Sequence, residues 1–169
     1  MSAKQAGAME DGAAEDAHEI RGVLIQVEGG RLLLPNATIS EVLTYAPPET
    51  VPGAPGWLLG RIRWRGWRLP LVSFSLLAGI ADEQGGLGSK VVVLKTLGGD
   101  PHAPYFAVLT QGFPRLVTVS RERLLAEPDA QSGQPDAVLA TVLLNEDAAW
   151  IPDLARLEAM IAGALREAA

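Results

Sequence analysis

The chain contains no cysteine, which excludes disulfides, thiolate catalysis and cysteine-bound metal. Histidine is almost missing as well. His18 and His102 are the only two, and a distant pair with no thiolate to complete it does not make a zinc site. No apolar run reaches the roughly 18 residues that a membrane-crossing helix needs. The opening stretch "MSAKQAGAMEDGAAEDAHE" has neither the basic start nor the apolar segment of a secretory signal. These absences lead us to expect a soluble, cytoplasmic protein without direct membrane insertion.

Positive charge is scarce too. The formal net charge of the 169 residues is −6. Glu10, Asp11, Glu15, Asp16 and Glu19 against Lys4 give residues 1–19 a charge of −4, which leaves −2 for residues 20–169. Binders of nucleic acid draw most of their affinity from a basic surface, and this body is mildly acidic.

Catalytic signatures are also missing. No serine sits in a Gly-x-Ser-x-Gly elbow. Ser73 and Ser75 flank Phe74 in an apolar context, where their hydroxyls are expected to bond nearby backbone. "GGLGSK" (Gly85 to Lys90) has Gly-Ser-Lys where a phosphate loop has Gly-Lys-Ser/Thr, and a strand pattern follows it in place of a helix. The acid pairs Asp82/Glu83, Glu127/Asp129 and Glu146/Asp147 fall in expected loops or turns, where solvated charge is the default. No enzymatic activity, cofactor or metal is expected.

Hydrophobic residues make up 48% of the chain, and 18 glycines and 12 prolines punctuate it. Residues 1–19, rich in Ala, Gly and acid, read as a disordered acidic tail. Residues 20–169 read as a single domain, with "ADEQGGLGS" as a flexible joint near 80–90 between two lobes. "VLIQVEGGRLLLP" reads as two strands around a Gly-Gly turn. In "NATISEVLTY" the Thr38–Glu41 spacing and the grouping of Ile39, Val42 and Leu43 predict one or two turns of helix. "APPETVPGAPG" must be a loop of fixed path.

The densest signal is "GRIRWRGWRLPLV" (Gly60 to Val72). Arg61, Arg63 and Arg65 alternate with Ile62 and Trp64, and Trp67 and Leu69 alternate with Arg68. This is the pattern of a hairpin turning at Arg65-Gly66, with one buried and one wet face. Trp64 is expected in the core, and Trp67 is left open between core and surface. "SFSLLAGI" reads as a helical turn closed by Gly79. "KVVVLKTL", "YFAVLTQG" and "FPRLVTVS" read as strands and "RERLLAEP" as a short helix. "VLATVLLNEDAAWIP" reads as two strands turning at Asn145-Glu146-Asp147. The final "DLARLEAMIAGALREAA" reads as a helix capped by Asp153, with Leu154, Leu157, Ile161 and Leu165 as its apolar stripe. Many short strands with frequent turns make a mainly β barrel or sandwich.

The order of these blocks resembles the CheW-like domain, the receptor–kinase coupling module of bacterial chemosensory systems. The likeness covers about Arg21 to Leu157. It is most specific at Pro52-Gly53-Ala54-Pro55, Leu58-Leu59-Gly60, Ile62, Arg65-Gly66 and Pro70-Leu71-Val72. Departures at Arg61, Arg63, Trp64, Arg68 and Ser73 make the chain look most like the accessory CheW-like proteins of type IV pilus chemosensory systems (ChpC and PilI type). The resemblance implies two small SH3-like five-stranded barrels sharing a core, with short helical turns and a C-terminal helix. It also implies a non-enzymatic adaptor with no cofactor, which couples the tip of a methyl-accepting receptor to the regulatory domain of a CheA-type histidine kinase. By position, Ile39, Val42, Leu43, Arg61, Arg63, Arg65, Gly66, Trp67 and Arg68 are the expected protein-binding residues. The alternative function is a small β-barrel that binds single-stranded nucleic acid through the Arg/Trp hairpin 61–68.

Overall fold

The computed structural model describes residues 19–120, 124–126, 135–144 and 147–168. The expected tail lies outside these residues except for Glu19, which opens the first strand. In chain order the elements are β1 (Glu19–Val27), β2 (Gly30–Pro35), a 3-10 turn (Asn36–Thr38), β3 (Ile39–Thr44), β4 (Leu58–Trp64), β5 (Trp67–Val72), α1 (Phe74–Leu77), β6 (Lys90–Lys95), β7 (Tyr105–Thr110), β8 (Arg115–Ser120), β9 (Leu124–Ala126), β10 (Val138–Leu144), β11 (Asp147–Pro152) and α2 (Leu154–Ala168). The turn expected at Asn145-Glu146-Asp147 lies outside the described residues up to Asp147.

The strands form two sheets. One has the order β8-β1-β2-β11-β10-β9, and the other the order β3-β6-β7-β5-β4. Each curls on itself. In the second sheet the edge strands β3 and β4 meet, because the Trp64 indole N–H on β4 donates to the Glu41 carboxylate on β3. Just beyond β3, Glu49 exchanges both backbone hydrogen bonds with Arg61 at 2.9 and 2.8 Å. In the first sheet β8 and β9 stand at opposite ends of the order, yet only residues 121–123 separate them. Ser120 of β8 and Leu124 of β9 therefore lie within about 14 Å of each other. The expected five-strand units are present, and the first sheet carries the short β9 in addition.

The continuous apolar runs follow from this architecture. Val23, Ile25 and Val27 of β1, with Leu32 and Leu34 of β2, face a large cluster shared with Val92, Leu94, Phe106 and Val108 of the second sheet. The intervening Leu24 and Leu33 face the interior of the first barrel with Val119 and Val142. In the second barrel Leu71, Val91, Ala107 and Leu109 do the same. Strands buried on both faces have no reason to alternate. Each fully buried aliphatic side chain contributes roughly 1.5–3 kcal/mol. Helix α2 adds Leu157, Ile161 and Ala164 to the shared core, and Asp153 accepts the Arg156 backbone N–H at 3.1 Å as the cap expected of it.

Two expected helices are strands. Leu124–Ala126 pairs with β10, and "ISEVLT" is β3, paired with β6. The helix-like spacing of Ile39 and Val42 has another origin. A bulge between Ile39 and Glu41 shifts the register, so that Ile39 opposes Leu94 and Glu41 opposes Val93. The extra residue resets the two-residue alternation, and Ile39 and Val42 both pack on the shared core. The supposed capping box does not form. Thr38 Oγ1 donates to the Pro35 carbonyl at 2.7 Å, and Glu41 is engaged by Trp64.

The expected flexible joint is pinned. Glu83, read from sequence as a solvated loop acid, is 3% exposed. It accepts from the Glu28 backbone N–H at 2.8 Å, the Ser73 hydroxyl at 2.6 Å and the Gln111 amide at 3.2 Å. Glu28 lies in the β1–β2 turn, while Ser73 and Gln111 directly follow β5 and β7 of the second sheet, so a single carboxylate ties the two lobes together. Ser73 also caps α1 by accepting the Leu76 N–H. Ser75 donates to the Glu28 carbonyl at 2.6 Å.

Candidate functional site

Two surfaces gather the residues singled out by the sequence. The first is the tip and outward face of the β4–β5 hairpin. Trp64 and Trp67 are the last paired residues, and Arg65 and Gly66 form the two-residue turn. Their φ values of 47° and 81° are both positive, as a hairpin turn matched to strand twist requires. Gly66 supplies this conformation freely. Arg65 adopts it while its guanidinium lies 5.0 Å from the Trp64 ring centroid and 3.1 Å from Glu41 Oε1. Arg65 therefore braces the hairpin tip through a carboxylate and a ring of its own chain.

Glu41 is the hub of this cluster. Its carboxyl is held below its ordinary value, first by the Trp64 indole N–H and then by the hydrogen bond and charge of Arg65, against the opposing effect of desolvation. Trp64 is buried, as alternation predicted, and packs edge-on to Tyr105 at 4.9 Å. Trp67, left open by the sequence, is 37% exposed. Arg63 stands directly opposite Arg68, and Arg61 opposite Pro70. Arg68 pairs with Glu49 at 2.9 Å.

The second surface is a groove of about 230 Å³ between the lobes, lined by Val23, Asn36, Ile39, Val42, Phe113 and Leu116, among others. Phe113 and Leu116 are 74% and 72% exposed. The Lys90 ammonium sits 4.6 Å from the Phe113 ring centroid. Of the three residues named on "ISEVL", Ile39 and Val42 reach this groove. Leu43 packs toward the interior of the second barrel. Sequence reasoning missed Phe113 and Leu116. Their signal was the placement of two bulky apolar residues around Pro114 at a turn, where both stay largely exposed among the described residues.

Ser73 and Glu83 form a hydrogen-bonded pair, but both are buried and engaged in holding the lobes. Among the described residues, no three His, Cys, Asp or Glu side chains gather as a metal set would, and no helix is long and apolar enough to cross a membrane.

Comparison with known proteins agrees with this geometry. No curated protein matches the chain. The crystal structure of the scaffolding protein TtCheW from Thermoanaerobacter tengcongensis superposes with a TM-score of 0.66 at 15% identity, covering 79% of this chain and 88% of that one. At that identity the likeness speaks for the fold alone. The family model for the CheW-like domain matches residues 21–161. With that match over most of its length, and with the paired barrels behind it, the chain belongs to the CheW-like domain family.

Proposed function

We propose that this protein is a non-catalytic adaptor of a chemosensory array, joining a methyl-accepting receptor to a CheA-type histidine kinase in the cytoplasm. The observation that carries the reading is the inter-lobe groove, where Phe113 and Leu116 stand exposed beside Ile39 and Val42. Large exposed apolar side chains around a concavity are the ordinary mark of a protein-binding surface, and an amphipathic helix laid into such a groove is a recurrent mode of recognition. The tip of a receptor's helical hairpin is the occupant this reading assigns. The kinase's regulatory domain engages a separate surface. An adaptor holding both can bias kinase activity through binding energy alone. The departures at Arg61, Arg63, Trp64, Arg68 and Ser73 from the family pattern support a pathway in type IV pilus motility. Titration of the folded chain against its cognate receptor-tip and kinase fragments tests the coupling, and failure to bind either would remove it. A twitching assay on a deletion strain tests the pathway.

A further inference from the structure

We propose that the outward face of the β4–β5 hairpin, formed by Arg61, Arg63 and Arg68, docks an acidic segment of a partner protein that carries an apolar anchor. The inference deepens the adaptor reading and rests on it.

The first observation is register. Arg63 and Arg68 are direct cross-strand partners, and Arg61 shares the face of Arg63 two residues away. Like charges placed directly opposite destabilise a strand pair, so the fold gains nothing from this arrangement. The second is neutralisation. Glu49 meets Arg68 at 2.9 Å, with both side chains more than half exposed. Among the described residues, Arg61 and Arg63 make no ion pair. This face therefore keeps uncompensated positive charge on a chain whose net charge is −6.

The third observation is a cleft of about 460 Å³ beside the face, between β5, the 96–105 segment and α2. Arg61, Arg68, Trp67 and Pro70 line one side, and Ala162 and Leu165 line the other. Two acids also border it, and both are engaged. Asp100 accepts the His102 backbone N–H at 2.9 Å, and Glu158 accepts those of Leu97 and Gly98 at 2.9 and 3.0 Å. The Arg61 guanidinium at the rim, without an ion pair among the described residues, the unpaired Arg63 on the same face, and an aromatic-walled apolar cleft behind them fit carboxylates flanking a buried side chain. Arginine and tryptophan are the residues that dominate such contacts. A nucleic acid strand would need a series of stacking platforms. Of the two hairpin tryptophans only Trp67 is exposed, and its ring lies edge-on to Tyr105 at 6.3 Å.

The test titrates the full chain with the cognate kinase regulatory domain and, separately, the receptor-tip fragment, each at low and at physiological salt. The Arg61→Glu, Arg63→Glu double variant is expected to bind one of the two partners about tenfold more weakly at low salt. It should also show a flatter salt dependence for that partner, with an unchanged melting temperature. Arg63→Gln, the milder variant, should weaken the same partner less. If the wild type binds both partners and neither variant alters either affinity, the docking face is overturned while the adaptor reading stands. If the wild type binds neither, both fall. If deleting residues 1–18 tightens binding and the charge reversal abolishes that gain, the occupant is this chain's own acidic segment, and the assignment to a partner is overturned. Salt-sensitive binding of an oligothymidylate probe that the double variant abolishes would overturn it in favour of nucleic acid.

Discussion

The Trp64 indole N–H donates to the Glu41 carboxylate across the two edges of a single five-stranded sheet. The bond closes the second barrel at one end, and Arg65 stacks on Trp64 and pairs with Glu41 beside it. The same three residues therefore shape both the barrel seam and the tip of the hairpin.

That seam should respond to acid. Glu41 has a lowered pKa in the folded chain, so it binds its proton more readily when unfolded. Its contribution is then complete above its ordinary value of 4.5 and is lost as pH falls through the lower folded value. Thermal melts of wild type and Glu41→Gln should differ at neutral pH and converge as the solution is acidified below that value. A gap that stays constant with pH would refute the assignment.

Arg65→Ala should lower the melting temperature by roughly 2–4 °C, because an exposed pair and a cation–π contact are each worth little. If Arg65 were a partner contact alone, stability would not move.

Gly60 has φ 150°, and a Cβ built on it would lie 2.4 Å from the Glu49 carbonyl oxygen. That carbonyl accepts the Arg61 N–H in the bridge that covers the β4 edge. Gly60→Ala should cost about 2 kcal/mol or more, from backbone strain and overpacking together. Chemical denaturation would measure it, and a near-neutral change would show that the bridge yields easily.

Glu83→Ala should cost about 3 kcal/mol, since it leaves buried donors from both lobes without their acceptor. Hydrogen exchange should then rise first at the Glu28 amide. Protection there equal to wild type would mean that the lobes hold together without this tie.

Phe113→Ala and Leu116→Ala remove side chains that are largely exposed, so stability should stay within about 0.5 kcal/mol of wild type. Affinity for a receptor-tip fragment should fall about tenfold if the groove is its seat. Unchanged affinity would move the receptor elsewhere.

Much of the fold was legible wherever local chemistry is decisive. The Arg65-Gly66 turn, the Asp153 cap and the apolar stripe of α2 each depend on a few neighbouring residues. The "ISEVL" stretch was misread because a bulged strand can imitate helical spacing, and only pairing with β6 reveals the extra residue. Glu83 was misread because loop acids are usually solvated. Its partners lie 55, 10 and 28 positions away, and no local pattern encodes them.

By itself, the sequence determined the class of the protein. Its strand patterns and turn residues required a mainly β chain, its missing thiols and scattered histidines excluded whole chemistries, and its central block marked the family. The tertiary structure decided which surfaces exist. It turned Trp64 inward and left Trp67 outside, matched Arg65 with Glu41 while leaving Arg61 and Arg63 without an ion pair among the described residues, and brought Phe113 and Leu116 to the mouth of a groove with Ile39 and Val42. The physical reason is that burial and charge pairing are long-range properties. They depend on which strands close a barrel and how two barrels meet, and neither is fixed by the residues adjacent in the chain.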